Sequence, residues 1–448
     1  MNTSSPNTKA DRLLAAMDEL KSPPPSEKKT FSLTILISFL SFVALYPVFF
    51  VYHSGINALG INSFLGGFYG PIAALTSILS ILFLFPAKHL KKARSAWIVY
   101  TFYAYIFLAI LVIVYNQLIS VDYYIEQAVK QAVYGLILLY ANFTIGCHMM
   151  SDDTSNESNR LKLLWLLLGL ITLITCANLY MTGEAIIAPI NGDNEARRVT
   201  YQGYSRSVLM TSLFILATLN KKVPILILGT LTTVLLFAIG ARAEFVTFAF
   251  VFFAYFVFLD VKIWITAGIL LSFLCIVTFW EEILNYLILS YPNFRVLTLL
   301  ELNENSSYLL REAMNKFAIK QILENPIWGQ FGGHFEFGEH APVWYHGDYT
   351  SSGSYAHNAL SVWVNYGIIN FTLFIVLSVG SIITSAHGVF IKKYNSTIWK
   401  LAFLMSTSSF ILVATTKAGV FFPQIGLAWG LVVCALNSSS PKAKKPIP

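Results

Sequence analysis

Long stretches of chain in which apolar residues run on without charge narrow the possible folds at once. Phe31 to Tyr52, Phe64 to Pro86 and Ala96 to Tyr115 are such runs, each about 20 residues long, the length a helix needs to cross roughly 30 Å of hydrocarbon. Over the 448 residues, 56% are hydrophobic and 12% charged, against about 25% charged in an ordinary soluble domain. A soluble chain of this size still needs a charged surface. Here the surface must be largely apolar, as it is in lipid. The chain is expected to be an all-α polytopic membrane protein.

Twelve spans are expected, starting near Phe31, Phe64, Ala96, Gln127, Leu163, Ser207, Val223, Glu244, Ile263, Asn358, Leu401 and Phe421. They divide the chain into an N-terminal tail (1–30), nine transmembrane helices (31–280), a large loop (281–356), three further helices (357–437) and a C-terminal tail (438–448). An even number of spans puts both termini on one side. That side collects 20 of the 30 basic residues, among them Lys88, Lys91, Lys92, Arg160, Lys221, Lys222, Lys392, Lys393 and Lys400. By the positive-inside rule it is cytoplasmic. The same rule accounts for the net charge of +7. The basic residues are scattered over short loops and form no stripe, so nucleic acid is not an expected partner.

No cleavable signal peptide is expected, because about 30 polar residues, including Pro23, Pro24 and Pro25, precede the first apolar run, which is itself too long for a signal sequence. Cys147, Cys176, Cys275 and Cys434 sit in or beside apolar runs without metal-ligand spacing. They read as small buried apolar residues.

Away from the basic side, two connections are long: Thr182 to Arg206, and Glu281 to Ala356. The second is too long for a plain connector. Within it, Ser307 to Leu323 reads as an amphipathic helix stopping before Pro326. The Gly-, aromatic- and His-rich segment 329–353 suits a binding loop. These two connections concentrate the candidate chemistry. Arg197, Arg198 and Arg206 precede the sixth span, and Arg242 sits at a turn between two spans. Arg295 and Arg311 lie in the loop, with His334, His340, His346 and His357 following. Arg242 reads either as a headgroup charge neutralised by Glu244 or by phospholipid, or as a phosphate ligand, the guanidinium fork being suited to phosphate oxygens. His357 stands where a helix enters the membrane, next to Asn358, which is placed to orient it, and its ordinary pKa suits proton transfer near neutrality. The spacing of His334, His340 and His346 lacks a matched carboxylate or cysteine pattern, so no metal is expected. No Walker motif, GxSxG, HExxH or Asp-x-Asp pair occurs.

Three stretches carry a resemblance. Gly240-Ala241-Arg242-Ala243-Glu244-Phe245 opens a span. Arg311 is followed by a helix and by Asn325-Pro326-Ile327-Trp328-Gly329. Ala356-His357-Asn358-Ala359-Leu360 runs on to Tyr366-Gly367. In this order, the chain resembles the O-antigen ligase and O-antigen polymerase superfamily of bacterial envelope glycan transferases over roughly residues 195–385. Arg197-Arg198-Val199-Thr200-Tyr201 is similar to the family's upstream arginine, with either Arg197 or Arg198 as the match. The residue before Arg242 is Ala where the family commonly has Ser or Thr, and the first five spans carry no signature.

The resemblance implies a GT-C-like architecture with one large, mainly helical periplasmic loop, in the bacterial inner membrane. It also implies metal-independent, inverting transfer of a glycan from undecaprenyl diphosphate, without a cofactor. Arg197 or Arg198, with Arg242 and Arg311, would bind the diphosphate. His357 would activate the acceptor hydroxyl, supported by Asn358. Arg311 alternatively braces the loop. Trp328, Trp344, Tyr345, Tyr349 and Tyr355 would stack on sugars or pack the loop. The implied partners are the lipid-linked donor, a glycan or lipid A-core acceptor, membrane lipid and a chain-length regulator. A repeat-unit polymerase is the first expectation, a ligase the second. The alternative class is a polysaccharide transporter or flippase, which calls for ionisable groups near mid-membrane. The clearest charges inside apolar runs, Lys130 and Lys417, lie toward span ends.

Overall fold

The computed structural model describes residues 33–58, 69–83, 93–119, 123–149, 154–182, 185, 194–258, 306–337, 356–394 and 396–438. The expected ninth span near Ile263, both tails, Arg295, Cys275, His340, His346, Trp344, Tyr345, Tyr349 and Tyr355 lie outside them.

Every regular element among the described residues is helical. In chain order these are α1 (Leu33–Leu45), α2 (Pro47–Ala58), α3 (Tyr69–Phe83), α4 (Ala93–Ile119), α5 (Tyr123–His148), α6 (Thr154–Thr182) and α7 (Asn194–Thr218). Then follow α8 (Lys222–Ile239), α9 (Arg242–Phe258), α10 (Ser306–Glu324), α11 (Leu360–Ala386), α12 (Thr397–Thr415) and α13 (Gln424–Ser438). Among the described residues, seven stretches are long and apolar enough to cross a membrane: Leu33–Ile56, Arg94–Ile119, Tyr124–His148, Asn159–Thr182, Lys222–Ile239, Leu360–Ile391 and Thr397–Thr415. Their outward faces are apolar. On α4, for example, Phe107, Leu111, Tyr115 and Leu118 are all exposed. A row of this kind is stable only against lipid. The chain is an α-helical polytopic membrane protein.

Of the expected second span, the described residues 69–83 form α3. One expected boundary changes. The connection Thr182 to Arg206 is not all loop, because α7 begins at Asn194, so Arg197 and Arg198 share one helix with Arg206. Residues 194–198 (Asn-Glu-Ala-Arg-Arg) explain the extension: Asn is a good helix start, Glu favours the first turn, and Ala and Arg are strong helix formers.

The centre of the bundle is α13, nearly all of it buried. It packs chiefly on α5 through a small-residue seam. A Cβ on Gly430 would collide with the Phe143 carbonyl, and one on Gly426 would sit 2.6 Å from that of Leu139. Between helices in lipid such close approach replaces the hydrophobic drive that water would supply. Trp429 fills the other side against Phe102, Tyr105 and Phe374. Cys147 and Cys434 are buried, as expected. Cys176 is exposed instead, on a helix whose neighbouring Leu173 and Tyr180 are exposed too.

Candidate active site

The loop is docked on the bundle by an interlock of two glycines. α11 breaks at Gly367, where φ is 79° and ψ 175°. A break in a helix frees backbone groups that must be satisfied inside the protein. Here the turn after α10 does so: Gln330 N–H donates to the Val364 carbonyl (2.6 Å) and Ile368 N–H to the Ile327 carbonyl (3.0 Å). The Trp363 indole adds a bond to the Pro326 carbonyl at 2.7 Å. Gly329 is also left-handed, with φ 71°. A Cβ there would strike the carbonyls of Trp363 and Val364. The Asn325–Gly329 turn and the Tyr366-Gly367 break are therefore two halves of one contact. A 3₁₀ turn (Gly333–Phe335) extends the docking surface, stacking Phe335 on Tyr124 at the start of α5.

This interlock brings α10 against the start of α11 and places His357. One ring N–H of His357 donates to the Thr416 carbonyl, at the end of α12. The ring's pKa is held down to about 4, first by burial and then by the positive charges of Arg311 and Lys417. At neutral pH the ring is uncharged, and its second nitrogen is an acceptor. His334 is buried within the loop and held down to about 3 by the same desolvation, which the neighbouring Asn365 side chain partly opposes.

Asn358 does not orient His357 through its side chain. Its Oδ1 accepts from Leu360 N–H (3.0 Å), and its Nδ2 donates to Asn315 Oδ1 on α10 (3.1 Å). It fastens the start of α11 to the loop helix, so its effect on His357 passes through the backbone. Its own carbonyl and the Ser361 hydroxyl both accept from Gly419 N–H, which wraps the segment 416–419 around the histidine.

Arg242 opens α9 two residues after Gly240, a left-handed residue (φ 73°) whose N–H closes α8 on the carbonyls of Leu236 and Phe237. Glu244, two residues on, faces a cation from another helix end. The Glu244 carboxylate is 2.8 Å from Lys417 Nζ, and both side chains are buried, 2% and 10% exposed. Arg206 acts on the same carboxylate. Its Nη2 donates to Gln202 (3.2 Å), while its buried Nε has no hydrogen-bond partner. Arg206, Arg311 and Lys417 thus surround a neutral histidine and one buried carboxylate.

Lys417 and Arg206 are the residues that sequence reasoning underrated. Lys417 was visible as a charge in an apolar run, which is a pointer to function, but its partner lies 173 residues away, on another span. Arg197 and Arg198 lie on the first turns of α7. Among the described residues no group of three or more His, Cys, Asp or Glu is placed to hold a metal. No protein-family model matches this sequence, and no curated protein matches it significantly.

Proposed function

We propose that this protein transfers an undecaprenyl-diphosphate-linked oligosaccharide or polysaccharide to a sugar hydroxyl at the periplasmic face of the inner membrane, as a surface-polysaccharide repeat-unit polymerase. The observation that carries the reading is the neutral His357, set beside Arg311 and Lys417 at the start of a membrane helix. A base for a sugar hydroxyl must be uncharged and hold a free acceptor nitrogen. A diphosphate leaving group needs fixed positive charge more than it needs a Lewis acid.

In the proposed reaction the acceptor hydroxyl gives its proton to His357. Its oxygen attacks the anomeric carbon from the face opposite the diphosphate, and the carbon–oxygen bond to the diphosphate breaks with inversion. The leaving group keeps the electron pair, stabilised by Arg242, Arg311 and the arginines of α7. The proton returns from His357 to solvent or to the released diphosphate. Within the same reading the chain has twelve spans in a GT-C-like arrangement, both termini cytoplasmic, and the loop acts as a lid that presents the acceptor glycan.

The test is a deletion strain complemented with His357→Ala or Arg242→Ala. Both variants are expected to reach the membrane at normal levels and to leave surface glycan at a single repeat. Normal polysaccharide with either variant contradicts the reading. Accumulated lipid-linked chains of full length would assign the second activity, ligation to lipid A-core.

A further inference from the structure

The segment Thr416-Lys417-Ala418-Gly419 is the point where three parts of the proposed site meet. The Thr416 carbonyl accepts from the His357 ring. Gly419 N–H donates to Ser361 Oγ (2.7 Å) beside the histidine. Between them, Lys417 Nζ reaches Glu244 Oε1 on α9, two residues after Arg242. α12 ends there with the N–H groups of Thr416 and Lys417 both on the Leu412 carbonyl at 2.8 Å, so the segment has left the helix and has no ladder of its own to hold it. Its position is set by what it touches: the start of α11 on one side, Glu244 on the other.

We infer that Glu244 and Lys417 are a positioning pair for the transfer reaction, tying the turn that bears Arg242 to the carbonyl that holds the His357 ring. The inference rests on the reading of His357 as the base. Neither side chain need touch substrate. A buried pair of this kind is costly to desolvate and adds little net stability, so simple anchoring would be served as well by an apolar contact. What an apolar contact would not supply is charge control at the histidine. Arg311 from α10 and Lys417 from the α12 end bear on His357 directly. Glu244 from α9 faces Lys417, and Arg206 from α7 bears in turn on Glu244.

A test that needs no substrate reads the reactivity of His357 itself. Diethyl pyrocarbonate acylates only neutral imidazole, so its rate at the His357 peptide, followed by mass spectrometry from pH 4 to 8, reports the ring's titration. Lys417→Met is expected to raise the midpoint by about one pH unit or more, because a cation is lost and a carboxylate is freed nearby. Glu244→Gln is expected to leave the profile flat down to pH 4, because Lys417 loses its counter-charge. A purely structural role would move both profiles the same way or neither, and either result overturns the inference.

Should Lys417→Met fail to fold, the neutral pair Glu244→Gln with Lys417→Met provides the second arm. That double variant is expected to stay monodisperse and to keep KM for the lipid-linked donor within about two-fold, while kcat falls at least tenfold. Unchanged kcat in a folded double variant also overturns the inference. If the modification profiles move as stated but His357→Ala still transfers glycan, the reading of the site fails while the control of His357 by the pair stands.

Discussion

The two ends of α12 each bury a lysine, and the contrast between them separates scaffold from site. Lys400, on the first turn, donates to the amide oxygen of Asn220 at 2.7 Å, at the tight turn between α7 and α8. Lys417, 17 residues on and about 25 Å away along a helix, meets the carboxylate of Glu244. The Asn220 end has a neutral partner and no histidine or arginine in the described contacts of the pair. Another hydrogen bond to an asparagine amide oxygen joins Ser95 on α4 to Asn437 on α13. The other end gathers Arg206, Glu244, Arg311 and His357. A neutral partner suffices where a lysine only has to be satisfied. A charged partner at the opposite end indicates that charge itself is being organised there.

The contrast can be broken most sharply by removing each lysine in turn. Lys417→Met leaves Glu244 buried without its counter-ion, and a cost of about 3–5 kcal/mol is expected, read as a large fall in thermal unfolding temperature in detergent. A loss as small as that of Lys400→Met would make the two ends equivalent. Next in size is the loop interlock. Gly367→Ala forces a side chain into a left-handed backbone against the carbonyls of Ile327 and Trp328, with an expected cost of about 1–3 kcal/mol. Faster proteolysis of the 281–356 loop, with the bundle intact, is the expected readout. Wild-type protease resistance would show that the interlock does not hold the loop.

Acid sensitivity should also belong to the His357 end. His357 and His334 have folded pKa values below their unfolded value of 6.5, so the unfolded chain binds more protons as pH falls. Their contribution to stability is full above pH 6.5 and is lost progressively as pH drops through about 4. Unfolding temperatures measured from pH 8 to 4 should show this slope, and His334→Gln should flatten part of it. A slope unchanged in that variant would remove His334 from the account. The smallest effect is expected at the Asn220 end: Lys400→Met breaks one hydrogen bond, costs about 1 kcal/mol, and leaves the His357 titration untouched.

Much of the fold was legible because a membrane span is a local property: length and apolarity along a single run declare it. Helices α9 and α13 stand where spans were expected near Glu244 and Phe421, although both are shorter than the seven helices long enough to cross a membrane. What the rule missed follows from contacts between distant segments. Asn194 to Arg206 looked like loop because its polar residues hid a helix that only becomes apolar later. Arg242, Arg311 and His357 were named from residue type and position. Arg311 and His357 come together because Gly329 and Gly367 meet across the loop, and the turn that bears Arg242 is linked to them by Glu244 meeting Lys417. Asn358 was named as a support for His357, while its cap on Leu360 and its bond to Asn315 appear only once α10 lies against α11.

The central claim is that the His357 end performs metal-independent glycan transfer from a lipid diphosphate. Its most direct test is the purified protein in lipid nanodiscs, supplied with undecaprenyl-diphosphate-linked repeat units and excess EDTA, with no ion gradient and with chain length followed by mass spectrometry. The account predicts lengthening of the lipid-linked glycan by the wild-type protein, and a rate lower by about 10²–10⁴-fold for His357→Ala. Wild-type protein that leaves the repeat units unchanged, or a His357→Ala variant that lengthens them at the wild-type rate, would contradict it.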